Sequence, residues 1–143
     1  MSSLLRNILA LLAGLVAGVV LISLVQAING RLYPLPAGFD PGNPEQMKQH
    51  AASLPPLAFV IVLASYLAGF TFAVYLATRA SATMHARQGV LVAAFFGAAS
   101  VMNLRAFSHP DWFWVANLVV LLAAVWFGIR AGIPKRLPAA AQP

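Results

Sequence analysis

The chain contains no cysteine, which rules out disulfides, thiol redox chemistry and thiolate metal sites. Charge is nearly as scarce. Only 8% of the residues are charged and three are acidic, against about 25% charged residues in an ordinary soluble domain. So few polar atoms cannot clothe a water-facing surface. No Asp, Glu, Lys, Arg or His falls in the middle of any long apolar run. Proton pumps and ion-coupled carriers place such groups there because moving charge needs a group that binds it, so the pattern speaks against both. No low-complexity block or soluble-domain linker breaks the chain.

Apolar sequence is what the chain does have. Of 143 residues 61% are hydrophobic, and the mean hydropathy is +0.82, the composition of an integral membrane protein. A spanning helix needs about 20 mostly apolar residues, and four segments approach or exceed that. They run from Leu4 to Ile28, Leu57 to Thr78, Gln88 to Leu104 and Trp112 to Ile129. The fold expected is all-α: a transmembrane four-helix bundle over residues 1–133, with a loop at 29–56 that carries one short helix, and a disordered tail at 134–143. A cleavable signal peptide is the rival reading of the first segment, with Arg6 ahead of it and Val25-Gln26-Ala27 as a cleavage site. The apolar run from Ile8 to Val25 is longer than the roughly 7–15 residues of a signal core, so a retained helix is expected.

The net charge of +6 comes from nine basic residues against three acids. The basic residues stand in ones and twos beside apolar runs and form no stripe that could track phosphates. A nucleic-acid partner is therefore not expected; membrane anchoring accounts for them. Arg6, Arg79, Arg87, Arg130, Lys135 and Arg136 fall on one side of the four spans. Arg31, Lys48 and Arg105 fall on the other, with all three acids. The positive-inside rule then places both termini in the cytoplasm and the 29–56 loop outside.

Within lipid, helices associate through small residues that let backbones approach. Each span carries such a ridge at four-residue spacing: Ala10, Gly14 and Gly18; Ser65, Gly69, Ala73 and Ala77; Gly89, Ala93 and Gly97; and Ala116, Ala124 and Gly128, interrupted by Val120. Gly14, Gly18, Gly69, Ala73, Gly97 and Gly128 are the packing positions singled out, with Gly69 and Gly97 expected at the closest crossings. Asn117 in the fourth span is suited to a bond with a neighbouring helix or with its own backbone.

The outer loop has its own grammar. Tyr33, Pro34 and Pro36 give a stiff exit from the first span. Asn43-Pro44-Glu45-Gln46 starts a helix, with Asn as N-cap, Pro at the first position, an acid near the positive end and Gln placed to close a capping box. Its apolar residues Met47, Ala51 and Leu54 recur at helical spacing. Pro55 and Pro56 end it and open the second span. The second outer turn, residues 106–114, reads AFSHPDWFW: Pro110 and Asp111 open the fourth span, and Trp112 and Trp114 belong to the interfacial aromatic belt. An ordered lid is expected, docked on Ser108–Trp114 with Arg105 available to Asp40 or Glu45. Tyr33, Asp40, Glu45, His50, Arg105, His109, Asp111, Trp112 and Trp114 are the candidate outer-face residues. Imidazoles and carboxylates suit divalent metals, but no ligand spacing with a mechanism joins these, so no metal, cofactor or catalytic residue is expected. His85, alone in the short loop, is expected in solvent.

The stretches LYPLPAGFDPGNPE, SLPPLAFVIVLASYLAG and NLRAFSHPDWFW together resemble a group of small four-helix bacterial membrane proteins to which no activity is attached. In that group a YPxPxGxD-like outer loop precedes an LP that opens the second helix, and an HPxWF-like turn opens the fourth. This chain departs in its Phe107-Ser108-His109-Pro110 turn and in having Ala73 after Gly69, where small glycines often repeat. The resemblance covers most of the chain, implies a bacterial inner membrane and carries over no catalytic residue. The function expected is that of a non-enzymatic scaffold, accessory subunit or self-associating bundle, with the lipid bilayer, a second copy or another membrane protein as partner. The alternative is a small transporter or channel for an uncharged or lipophilic solute, built as an oligomer; a lipid-directed enzyme ranks last.

Overall fold

A computed structural model describes residues 2–107 and 109–134. Five helices follow in order: α1 (Ser3–Leu32), α2 (Pro44–Ser53), α3 (Pro56–Ala80), α4 (His85–Ala106) and α5 (Asp111–Gly132). All but α2 are long and apolar enough to cross a membrane. Each outruns its apolar segment because polar caps and interfacial residues continue the helix. α1, with 30 residues, is about 45 Å long at 1.5 Å per residue, against a hydrocarbon core of about 30 Å. Its last turns, from Gln26 to Leu32, run beside the start of α3, where Gln26 and Asn29 bond to Ser65 and Ala58. Four crossings put the start of α1 and the end of α5 on one face, called here the terminal face. The loop that carries α2 lies on the opposite, loop face. All of the expected tail but Pro134 lies outside the described residues.

The helices do not form a ring. α3 is the hub, with α1 and α5 packed on two of its flanks, α4 beside it, and no backbone approach between α1 and α5. Small residues explain the arrangement. A Cβ added at Gly14 would stand 2.7 Å from the Ala73 carbonyl oxygen, and one at Gly18 would stand 2.7 Å from the Ala73 Cβ and 3.1 Å from the Gly69 carbonyl oxygen. Gly69 in turn receives Ile22 of α1. On the other flank Val74 fills the space left by Gly128, at 2.7 Å from an added Cβ, and Thr78 does the same at Gly132. Gly89 of α4 also opens toward Val74 and Thr78. The axis of the bundle is thus filled by Ala73, Val74, Ala77 and Thr78, all at 0% exposure.

Gly97 differs from its expected role. An added Cβ there would meet only the tip of Leu121, at 3.2 Å, because α4 turns Val92, Ala93, Phe96 and Ser100 inward and leaves Gly97 at the margin. Gly132, absent from the expected ridge, is tight. Outward faces are mostly apolar, with Leu4, Val16 and Leu24 of α1 and Val115, Val119 and Leu122 of α5 exposed, as suits lipid.

Polar groups within the bundle are paired sparingly. Ser100 donates to Asn117 Oδ1 at 2.9 Å, tying α4 to α5. At the terminal face Asn7, only 6% exposed, accepts from Ser81 Oγ at 2.9 Å and from the Ala82 N–H at 2.8 Å, and donates to Thr83 at 3.2 Å. This latch fastens the α3–α4 turn onto α1. His85 is not in solvent: it is half-buried, with Nδ1 3.0 Å from the Thr78 carbonyl oxygen, where it serves a free carbonyl at the end of α3.

Candidate functional site: a lidded chamber at the loop face

The residues between Tyr33 and α2 build a self-contained cap. The Tyr33 N–H closes α1 on the Asn29 carbonyl at 2.9 Å. Gly38 sits at φ +75, a left-handed conformation that glycine adopts without a Cβ penalty, and it reverses the chain. Asp40 turns back on its own segment, its Oδ1 accepting from the Gly42 N–H at 2.8 Å. Asn43 caps α2, with Oδ1 accepting from the N–H groups of Glu45 at 3.0 Å and Gln46 at 3.3 Å. The expected capping box closes elsewhere: Gln46 Oε1 accepts from the Asp40 N–H at 2.8 Å. The reason is that the Asn43 N–H is already committed to the Asp40 carbonyl at 3.1 Å. Glu45 accepts from Gln49 at 3.4 Å, and Phe39 meets His50 edge-on at 5.5 Å between centroids.

The cap lies over the bundle without pressing on it. α2 makes no close backbone approach to any other helix and none of its residues is fully buried. Its face of Met47, His50, Ala51 and Leu54 is half-buried, and only Leu54 packs on a core cluster, that of Phe59, Leu104 and Phe113. Under the rest of this face lies a chamber of about 350 Å³. Its floor is polar but uncharged: Gln26 and Asn29 from α1, Tyr66 from α3, Asn103 from α4. Gln26 donates to Ser65 Oγ at 3.4 Å, the Tyr66 hydroxyl donates to Asn103 Oδ1 at 3.4 Å, and Asn29 Nδ2 donates to the Ala58 carbonyl at 3.3 Å. Asn29 Oδ1 is buried with no partner among the described residues.

The lid does not dock on tryptophan. Trp112 and Trp114 are 42% and 41% exposed, and Phe113 between them is 0% exposed. Successive helix positions are about 100° apart; once Phe113 points into the core, its neighbours must flank the inward direction on either side. Trp112 meets Phe59 edge-on at 6.4 Å and its neighbour Phe113 at 5.9 Å. The turn joins the chamber through His109 instead, which lines it with Phe107. His109 stacks on Phe113 at 4.6 Å and 20°, and its Nδ1 lies 2.9 Å from the Phe107 carbonyl. That contact assigns the proton to Nδ1 and leaves Nε2 an acceptor. Burial lowers the imidazole pKa below its ordinary value, opposed by the Phe107 carbonyl. The ring is the less basic for it.

Of the candidate outer-face residues, His50 and His109 share the chamber. Arg105, Asp111, Trp112 and Trp114 remain on the exposed surface, Asp40 and Glu45 bond within the cap, and Tyr33 is half-buried at the end of α1. No three His, Asp or Glu side chains converge among the described residues. Sequence reasoning missed Gln26, Asn29, Tyr66 and Asn103 as one constellation. The available signal was that each of the first three spans carries an amide or phenol within about three turns of its loop-face end. No family model, curated protein or solved structure matches this chain.

Proposed function

We propose that this multi-pass membrane protein is a non-enzymatic accessory subunit whose working part is the lidded chamber, and that the chamber holds one uncharged amphipathic molecule at the outer face. The single observation that carries the reading is the chamber: concave, mostly apolar, with a few convergent neutral donors and acceptors, the usual make-up of a small-molecule site. No Asp, Glu, Lys or Arg lines it to favour a charged ligand, and burial disfavours the charged form of His109. Positive-inside orientation in a bacterial inner membrane makes the loop face the periplasmic one. The exposed apolar flanks of α1 and α5 are then available to lipid, a second copy or a larger partner. A transport path through one copy is disfavoured, since α3 occupies the axis.

The test is mass spectrometry of the protein drawn from its native membrane in mild detergent, beside an Ala51→Trp variant that fills the chamber from the lid. One bound small molecule should accompany the unmodified chain and be lost from the variant, with unchanged melting. A chain that carries nothing, or a variant that carries the same molecule, overturns the reading.

A further inference from the structure

A second concave site lies at the opposite end of the bundle, where α1 and α4 diverge. Its groove, about 350 Å³, is walled by Leu4, Ile8, Leu11 and Leu91 on the membrane side and by Ser3, Thr83 and Gln88 toward the terminal face. Gln88 is only 6% exposed, yet its Oε1 has no hydrogen-bond partner among the described residues. A buried amide left this way costs free energy unless something else completes it. The neighbouring polar groups do not: Asn7, which also lines the groove, is committed to Ser81, Ala82 and Thr83.

The charged side chains at this end are all basic, Arg6 serving the C-terminal carbonyl of Ala80 in α3. α1 and α4 both begin here, so two helix N-termini with free N–H groups and positive dipole ends meet at the groove. Neither has an acid in its first turn, and Arg6, Arg79 and Arg87 are exposed at the same end of the bundle. All three acids of the chain lie in the opposite loops or at the start of α5. The Thr83 hydroxyl, which accepts from Asn7, keeps its own proton to donate. An occupant must therefore carry negative charge and hydroxyl groups at its head, and an apolar chain below.

We propose that this groove is a binding site for one anionic phospholipid with a hydroxyl-bearing headgroup, drawn from the leaflet on the terminal side. The phosphodiester lies between the N-termini of α1 and α4 and accepts from Thr83. A headgroup hydroxyl completes the Gln88 amide, and an acyl chain follows Leu4, Ile8, Leu11 and Leu91. The site is independent of the chamber at the loop face.

The test uses the full chain, delipidated in neutral detergent, with binding read by native mass spectrometry and melting by tryptophan fluorescence. Phosphatidylglycerol should bind one to one, at least about tenfold more tightly than phosphatidylcholine, and raise the melting temperature, since a ligand bound only to the folded state stabilises it. Glycerol 3-phosphate, which has the head without the chain, should not compete. Gln88→Leu should melt at or above the unmodified chain without lipid, because the unpaired amide is gone, and should lose the preference. Thr83→Val should lose it too, which keeps the test open should the first variant fail to fold. Equal binding of the two lipids, competition by glycerol 3-phosphate, or a preference that survives in the folded variants overturns the proposal.

Discussion

The two halves of this bundle are built on different principles. Toward the terminal face, α1, α3 and α5 meet backbone to backbone, with Gly14, Gly18, Gly128 and Gly132 admitting Ala73, Ala77, Val74 and Thr78. Toward the loop face there are no such glycines. Phe59, Phe113 and Leu104 pack there as large side chains, and the chamber opens beside them, between Phe59 and the polar floor of Gln26, Asn29, Tyr66 and Asn103. Small residues give contact area close to the axis and no freedom to adjust; large ones span a gap and can leave part of it empty. The half with the tightest packing therefore supports the half that can hold something.

The comparison breaks most sharply at Gly18. Leucine there meets Ala73, Phe96 and the Gly69 carbonyl at once, and the backbone cannot yield. Overpacking typically costs about 1–3 kcal/mol and occasionally more; with backbone as the obstacle, Gly18→Leu belongs at the upper end of that range. The melting temperature in detergent should fall by far more than for Gly97→Leu, where only the Leu121 tip must move and a loss under about 1 kcal/mol is expected. Equal losses would show that the two ends of the ridge system are alike after all.

A smaller effect sharpens the same contrast between bonded and unbonded polar groups. Ser100 and Asn117 are both buried, at 4% exposure, and joined at 2.9 Å. A double-mutant cycle of Ser100→Ala and Asn117→Leu should give a coupling of about 0.6 kcal/mol, the average for such bonds between membrane helices. A coupling of zero would assign the stability of the α4–α5 seam to packing alone.

The legibility of these features follows their range. Span positions were readable because twenty apolar residues in a row have one physical use in a bilayer, and the start of α2 was readable because Asn43 and Pro44 act on their own backbone. The rotation of a helix about its axis is set by its partner, so four-residue spacing could name Gly14, Gly18, Gly69 and Gly128 but could not separate tight Gly132 from loose Gly97. Asn7 was illegible for a related reason. A polar residue in the first turns of a helix reads as solvated, and only the returning turn at Ser81–Thr83 makes it a latch. The chamber is a product of tertiary structure, lined together by the loop-face ends of α1, α3 and α4 and by the lid.

The smallest expected effect belongs to the chamber wall. His109 is stacked on Phe113, edge-on to Phe59 and half-buried, and desolvation lowers its pKa from the ordinary 6.5. Above that value the ring is neutral folded and unfolded, and its contribution to stability is complete. As the pH falls below it, the unfolded chain takes up the proton first. Stability is therefore lost down to the lowered folded value, below which both states are charged and the loss stops growing. Solvent reaching the ring keeps the effect modest. Melting should be compared at about pH 8 and about pH 5, where an ordinary histidine changes charge. His109→Phe keeps the stack and removes the proton site, so the unmodified chain should lose more stability on acidification than the variant does. An equal loss in both would place the pH response in other groups and leave the ring as packing only; a larger loss in the variant would mean that the folded state favours the imidazolium and that the chamber accepts charge.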